Sequence, residues 1–169
     1  MNKKYQFSKE QEERYQIETV RQDGFAIQYI ENPSEKVQLE AVKQNGFSIQ
    51  YIDNPSEEVQ IEAAKQDGYI IQYLDSPSEQ VQLAAIRQNG SVIDCIKNPS
   101  DYIKSIVDII RTFRRDIYIL HEPNKEPLFS IGCQHNITKD YLIWRICNLD
   151  GGLEENPHRQ DYLDVIERY

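Results

Sequence analysis

The fold of this chain is decided by residues 54–68, which read NPSEEVQIEAAKQDG. Related segments begin at residues 32, 76 and 98, so the spacing is 22 residues each time. A fixed period of this length is typical of solenoids, in which each repeat buries its apolar face against the next one. The sequence therefore predicts a short α-solenoid of four tandem 22-residue helix-turn-helix repeats.

Each junction between repeats is predicted to start a helix, as at Asn54-Pro55-Ser56-Glu57. The Asn side chain can accept an orphan backbone N–H, Pro suits the first helical position, and the acid favours the helix dipole. A glycine follows each helix at positions 24, 46, 68 and 90. We expect these glycines to adopt the left-handed conformation of a helix C-terminal cap.

The segment after each glycine is predicted to form a second, shorter helix of one or two turns, either α or 3₁₀. In the second repeat the side chains of Phe47 and Tyr51 share one helical face, as do those of Ile49 and Ile52. The alternation of apolar residues in the same segment also fits a strand, which is the alternative.

The two ends of the array depart from the repeat. The first helix lacks the Asn-Pro junction and is predicted to start at Ser8, with Gln11 completing a capping box. Its polar surface is typical of a capping repeat. Residues 100–111 keep the start signal but not the interior pattern, and predict a transition helix out of the array.

The unit at 54–68 resembles short tandem repeats of bacterial and bacteriophage proteins. In layout it is similar to the leucine-rich-repeat-variant and HEAT-like α-solenoids; in the first of these, Asp/Asn-Pro and Val mark an α-helix that alternates with a 3₁₀ helix. The resemblance covers residues 10–111 and implies an architecture, not an activity. Small acidic proteins of this kind also resemble phage inhibitors of host defence, including anti-CRISPR proteins.

The C-terminal part, residues 113–169, is predicted to form a small ββαα unit after an array spanning residues 1–112. Apolar runs at 117–120 and 128–133 flank a Pro/Asn turn and predict a β-hairpin. Thr138 is placed to cap a helix over 139–147, and Asn156-Pro157 to open a last helix. The predicted fold class is therefore mainly α.

The net charge of −9 argues against direct binding of nucleic acid, which needs a basic surface. The same charge attracts a basic surface on a protein partner. No signal peptide and no run of membrane-spanning length is present, so the sequence predicts a cytoplasmic protein.

Equivalent positions of successive repeats should align into rows of side chains. We expect the tyrosine row and one glutamine row to bind a partner, because tyrosine is favoured in interface cores; the alternative is that both rows only hold repeats together. Two acids in the C-terminal unit are included in this hypothesis. The candidate residues are Tyr29, Tyr51, Tyr73, Gln28, Gln50, Gln72, Glu154 and Glu155.

No enzymatic activity and no cofactor are expected. The cysteines and histidines of the C-terminal unit leave two alternatives, a zinc site and a Cys/His nucleophile pair, but their spacing matches no known ligand pattern. These residues are His121, Cys133, His135, Cys147 and His158. The leading prediction is a protein-binding repeat module, with a defence inhibitor that blocks a basic nucleic-acid-binding site as the alternative.

Overall fold

The structure is a computed structural model. It describes residues 7–110, 117–131, 134–140, 143, 163–164 and 166–168. The chain divides into two compact units between Gln88 and Asn89, and each is described by itself.

In the first unit, the described residues alternate α-helices with six-residue 3₁₀ helices, written η. The elements are α1 (Lys9–Gln22), η1 (Gly24–Tyr29), α2 (Glu35–Gln44), η2 (Gly46–Tyr51), α3 (Glu57–Gln66), η3 (Gly68–Tyr73) and α4 (Glu79–Gln88). The predicted helical repeats are confirmed, the short second helix is 3₁₀, and the strand alternative is wrong.

The helix starts differ in one respect from the prediction. Ser34 and Ser56 are the N-caps of α2 and α3, and their side chains accept hydrogen bonds from Val37 and Val59 N–H. The preceding Pro therefore lies outside the helix, not at its first position. The capping box of α1, between Ser8 and Gln11, is confirmed in both hydrogen bonds.

The asparagine before each Pro has a different role from the predicted cap. Asn32 and Asn54 have φ of 50° and 51°, in the left-handed region. Pro disfavours the right-handed helical conformation in the residue before it, and asparagine tolerates positive φ better than most residues. These asparagines therefore turn the chain from the 3₁₀ helix into the next α-helix.

The turn between the two helices of a repeat depends on an Asp or Asn that caps both. The Asn45 N–H donates to Ala41 O at the end of α2, and the Asn45 side chain accepts from Phe47 N–H at the start of η2. Asp23 and Asp67 are placed in the same way. Because one residue ends the α-helix and starts the 3₁₀ helix, the connection has no loop.

The prediction of left-handed glycine caps is wrong. The φ angles of Gly24 and Gly46 lie outside the left-handed region, and each glycine is the first residue of a 3₁₀ helix. A Cβ at Gly46 would lie 2.8 Å from Ala63 O in the next repeat. Glycine is required here because the backbone of the following helix passes too close for a side chain.

Successive repeats bury a small aliphatic core. Val37, Val59 and Val81 occupy the same repeat position and are fully buried, as are alanines four residues later in each helix. Burying a valine contributes roughly 1.5–3 kcal/mol. Each α-helix packs on its neighbours in the array, α1 on α2, α2 on α3 and α3 on α4. The stability of this unit therefore depends on interfaces between adjacent repeats.

The second unit starts with η4 (Gly90–Cys95) and α5 (Asp101–Ile106). The predicted transition helix is too long, because the chain becomes extended after Ile106. The described strands are β1 (Val107–Ile110), β2 (Ile117–Leu120), β3 (Leu128–Ile131) and β4 (Gln134–Ile137). They form an antiparallel sheet in the order β1-β2-β3-β4.

The predicted hairpin is confirmed as β2 and β3, and β1 and β4 extend it on either side. Lys139, Asp140 and Ile143 are helical, as predicted after Thr138, and so are residues 163, 164 and 166 near the C-terminus.

Both faces of the sheet are covered within the second unit. Ile117, Ile119 and Phe129 pack with Ile166 in one cluster. On the other face, Gly90 of η4 donates its amide N–H to Ser130 Oγ at 3.1 Å. Because side chains alternate along a strand, this explains why all four residues of β2 are buried.

Candidate protein-binding surface

The glutamine rows are bonded to backbone groups inside the array. Gln38, Gln60 and Gln82 each donate to the carbonyl of the Pro five residues earlier, at 2.9–3.0 Å. The Gln44 side chain accepts from the Gly24 amide at 2.7 Å and fixes the start of η1. The bonds to Pro therefore fix the chain at the start of each α-helix, whereas the Gln44 bond joins adjacent repeats.

The predicted glutamines of the 3₁₀ helices are exposed but also bonded locally. Gln28 donates to Phe25 O at 3.0 Å, and Gln50 donates to Phe47 O at 3.1 Å. Gln72 is exposed at the equivalent position. Each of these side chains lies at the surface, beside the tyrosine that follows it in sequence.

The tyrosine row is exposed along the array. Tyr29 is 82% exposed, Tyr51 43% and Tyr73 46%. The lower values of the last two have a structural cause, because each ring packs edge-on against a phenylalanine of the preceding repeat. The ring centroids of Phe25 and Tyr51 are 5.9 Å apart, and those of Phe47 and Tyr73 are 6.0 Å apart. This packing fixes the rings while leaving close to half of each side chain in solvent.

Sequence reasoning missed two features of this row. Phe7 lies 22 residues before Tyr29, is 66% exposed, and extends the aromatic series by one position. A carboxylate also follows each tyrosine by two residues, at Glu31, Asp53 and Asp75. The 22-residue register, applied to every position of the repeat, would have found both.

These three carboxylates differ from others on the array. All three are exposed and make no hydrogen bond or ion pair within the described parts of the chain. Glu40 and Glu62, by contrast, form ion pairs on the α-helices. The row therefore carries negative charge that no neighbouring side chain neutralises.

Glu40 shows how a neighbouring cation affects a carboxylate on this array. Arg21 Nε lies 2.6 Å from Glu40 Oε2 and links α1 to α2. This hydrogen bond lowers the pKa of the Glu40 carboxyl, partial burial opposes the shift, and Lys43 at 3.3 Å adds to the lowering. Glu40 therefore stabilises the contact between the first two repeats.

A groove of about 450 Å³ lies between the first two repeats. Its lining combines an aromatic ring, carboxylates and side-chain amides with apolar side chains. The lining residues are Ile27, Gln28, Ile30, Glu31, Asn32, Pro33, Gln38, Tyr51, Ile52 and Asp53. The tyrosine row, the predicted glutamine row and the unpaired carboxylates therefore meet in one concave site.

A second groove of about 380 Å³ lies beside the start of α1 and shares Glu31 and Asn32 with the first groove. Four of its lining residues are glutamates, Glu10, Glu12, Glu13 and Glu31. Residues 1–88, which make up this unit, hold 15 acidic and 9 basic side chains, a net charge of −6. Both grooves therefore lie on a strongly acidic unit.

The remaining predicted residues lie elsewhere. Glu154 and Glu155 fall outside the described residues, as do Cys133, Cys147 and His158. The described parts of the chain contain no group of three or more metal-binding side chains. Within those parts, too, no helix is both long enough and apolar enough to cross a membrane.

Comparison with known families gives a match to part of the chain. Residues 34–77 are similar to the family described as a domain of unknown function, DUF4116. The matched segment runs from the N-cap of α2 to the Pro after η3 and covers two full repeats. No curated protein and no solved structure matches the chain. The similarity covers the two repeats that contain Tyr51 and Tyr73, and the description of the family gives no activity.

Proposed function

We propose that this chain is a non-enzymatic protein-binding module whose first unit binds a partner through the tyrosine row. The observation that carries the proposal is the exposure of Tyr29, Tyr51 and Tyr73, one in each of three successive repeats. The parts of these rings that remain in solvent contribute nothing to the array's core, whereas tyrosine supplies a large contact area in protein interfaces.

The charge of the unit defines the partner further. The tyrosines alternate with unpaired carboxylates on a unit whose residues 1–88 carry a net charge of −6. A basic protein surface complements this pattern and gains association rate from it at low salt. The proposed partner is therefore a protein with a basic face, in the cytoplasm. Nothing in the fold or the comparisons points to a phage origin or to inhibition of a defence protein, so the proposal is restricted to binding.

The test uses tagged wild type, a row variant and a control variant to capture proteins from a lysate of the source organism. The row variant carries Tyr29→Ala, Tyr51→Leu and Tyr73→Leu, where leucine keeps apolar bulk against Phe25 and Phe47. The control variant carries Tyr15→Ala, which removes a tyrosine that is 69% exposed but outside the row.

A captured partner is then purified and titrated against both variants by calorimetry. We expect the row variant to bind at least about tenfold more weakly than wild type, the cost of losing one interface hot spot, and the control to bind like wild type. Equal affinity of the row variant and wild type, with both folded by circular dichroism, would contradict the proposal.

A further inference from the structure

The groove between the first two repeats has the chemistry to receive one cationic side chain. Tyr51 forms an aromatic wall, and Glu31 and Asp53 place two unpaired carboxylates in the same lining. Its volume of about 450 Å³ exceeds the space that a single side chain needs. The groove is therefore shaped for part of a larger chain and not for an isolated ion.

Arginine matches this lining better than lysine does. Its planar guanidinium stacks on a tyrosine ring while its N–H groups donate to carboxylate oxygens, and it is more weakly hydrated than an ammonium. The side-chain amide of Gln28 adds an acceptor to the same lining. A basic residue entering the groove would thus exchange water for an aromatic face and two charges.

The wall of this groove recurs in the next repeat. Asn32 and Asn54 share the same left-handed φ, so the chain leaves η1 and η2 along the same path. The residues equivalent to Tyr51 and Asp53 are Tyr73 and Asp75, 22 positions later. The third junction has Ser76 in place of asparagine, and Ser76 is not among the residues with positive φ. Tyr73 and Asp75 therefore offer an exposed aromatic ring and an unpaired carboxylate at the equivalent position of the next repeat.

The spacing of the two sites follows from helix packing. Neighbouring helices in contact lie about 8–10 Å apart. A polyproline II chain advances about 3.1 Å per residue with three residues per turn, so side chains three residues apart share a face and lie about 9.3 Å apart. This distance matches the step from one repeat to the next.

We infer that the first unit binds an extended segment of its partner that carries arginines at positions i and i+3, one for the groove at Tyr51 and one for the equivalent position at Tyr73 and Asp75. The inference rests on the proposed function and adds the chemistry and the spacing of the partner segment.

The experiment titrates the full chain with two synthetic peptides of equal composition. One is acetyl-Gly-Pro-Arg-Pro-Pro-Arg-Pro-Gly-amide, and the other has its arginines adjacent, acetyl-Gly-Pro-Arg-Arg-Pro-Pro-Pro-Gly-amide. We expect the spaced peptide to bind about tenfold more tightly, because its second arginine binds intramolecularly. Amide chemical shift changes should concentrate at residues 27–33, 50–55 and 72–77.

Matched charge variants separate the grooves from the general acidity of the unit. The groove variant carries Glu31→Gln, Asp53→Asn and Asp75→Asn. The control variant carries Glu18→Gln, Glu35→Gln and Glu58→Gln, three exposed acids outside the row. We expect the groove variant to lose the preference for the spaced peptide and the control variant to keep it.

Equal affinity of wild type for the two peptides, or an equal loss in both charge variants, would overturn the inference. So would peptides that leave the groove residues unshifted while the tyrosine-row variant still loses a purified partner. In that last case the protein-binding proposal stands and only the arginine chemistry is wrong.

Discussion

Replacing Gly46 with alanine tests how the repeats are held together. The added Cβ would lie 2.8 Å from Ala63 O and 3.2 Å from Gln66 Cβ, both in α3. The first contact is with a backbone atom, so α3 must shift away from η2. Overpacking of this kind costs about 1–3 kcal/mol.

A smaller effect of the same substitution works in the opposite direction. Alanine restricts the unfolded chain more than glycine and stabilises a compatible site by about 0.4–1 kcal/mol. The close approach to α3 is the larger effect, so we expect Gly46→Ala to lower the free energy of unfolding by about 1–2 kcal/mol. The measurement is a urea unfolding curve followed by circular dichroism.

Two further variants make the cause identifiable. Gly46→Asn places a larger side chain against α3, and we expect it to destabilise more than alanine does. A left-handed cap would give the reverse order, because asparagine tolerates positive φ better. Ser48→Ala is the matched control in the same 3₁₀ helix. It removes a buried hydroxyl that has no hydrogen-bond partner among the described residues, so it should be neutral or stabilising.

The outcome that would refute the reasoning is a Gly46→Asn variant as stable as wild type or more stable than Gly46→Ala. That order would mean that backbone conformation, and not the approach of α3, selects glycine at this position.

Three further predictions concern the array. Gln44→Ala removes the acceptor of the buried Gly24 amide and should lower the free energy of unfolding by about 1–3 kcal/mol in urea unfolding. Arg21→Gln should cost under about 1 kcal/mol at neutral pH. Because Arg21 lowers the pKa of Glu40, the destabilisation by Arg21→Gln should be fully present above pH 4.5, the ordinary pKa of a glutamate. It should disappear as the pH falls through the lowered pKa of Glu40, and urea unfolding curves at neutral and at acidic pH measure the difference. Inserting a second copy of residues 46–67 should raise the thermal midpoint and the urea slope, because it adds one interface of the same kind.

Each of these variants has its own control. Gln22 occupies the row of Gln44 but its side chain makes no hydrogen bond within the described residues, so an equal loss in Gln22→Ala would contradict the assigned bond. Arg14 makes no ion pair in the same part of the chain, and Arg14→Gln should show no such pH dependence. An insertion that leaves the thermal midpoint unchanged would show that adjacent repeats do not stabilise each other.

Local signals in the sequence predicted the elements that depend on neighbouring residues. The capping box at Ser8 and the alternation of α and short helices need only a few adjacent positions. Asn-Pro-Ser offers two candidates for the helix cap, however, and the sequence alone favoured the wrong one. The structure shows that Ser caps the helix because Asn is occupied with the turn before Pro.

Contacts between distant residues explain the remaining errors. The atoms that crowd Gly46 belong to residues 63–67, one repeat later, so its sequence neighbours do not reveal them. The apolar run after Ile103 fits a helix in isolation, yet residues 107–110 pair with β2 and become a strand. Pairing with a distant strand here overrides the local preference.

The sequence also predicted part of the candidate site. The 22-residue period by itself aligns Tyr29, Tyr51 and Tyr73, and it aligns the carboxylates two residues after them in the same way. The groove was not predictable, because its shape depends on the left-handed φ of Asn32.

The location of the site also follows from the structural role of each position in the repeat. Valines and alanines fill the core, the first residue of the 3₁₀ helix must be glycine, serine caps the α-helix, and two glutamine rows satisfy backbone groups. Residues at these positions cannot be substituted to fit a partner without loss of stability. The tyrosine and the acid two residues later are exposed, and the acid has no partner within the described array. The rings of Tyr51 and Tyr73 each pack against the preceding repeat on one side only, so the solvent-facing side of the ring and the acid beside it remain available to a partner, and the search for that partner should begin with Tyr51 and Asp53.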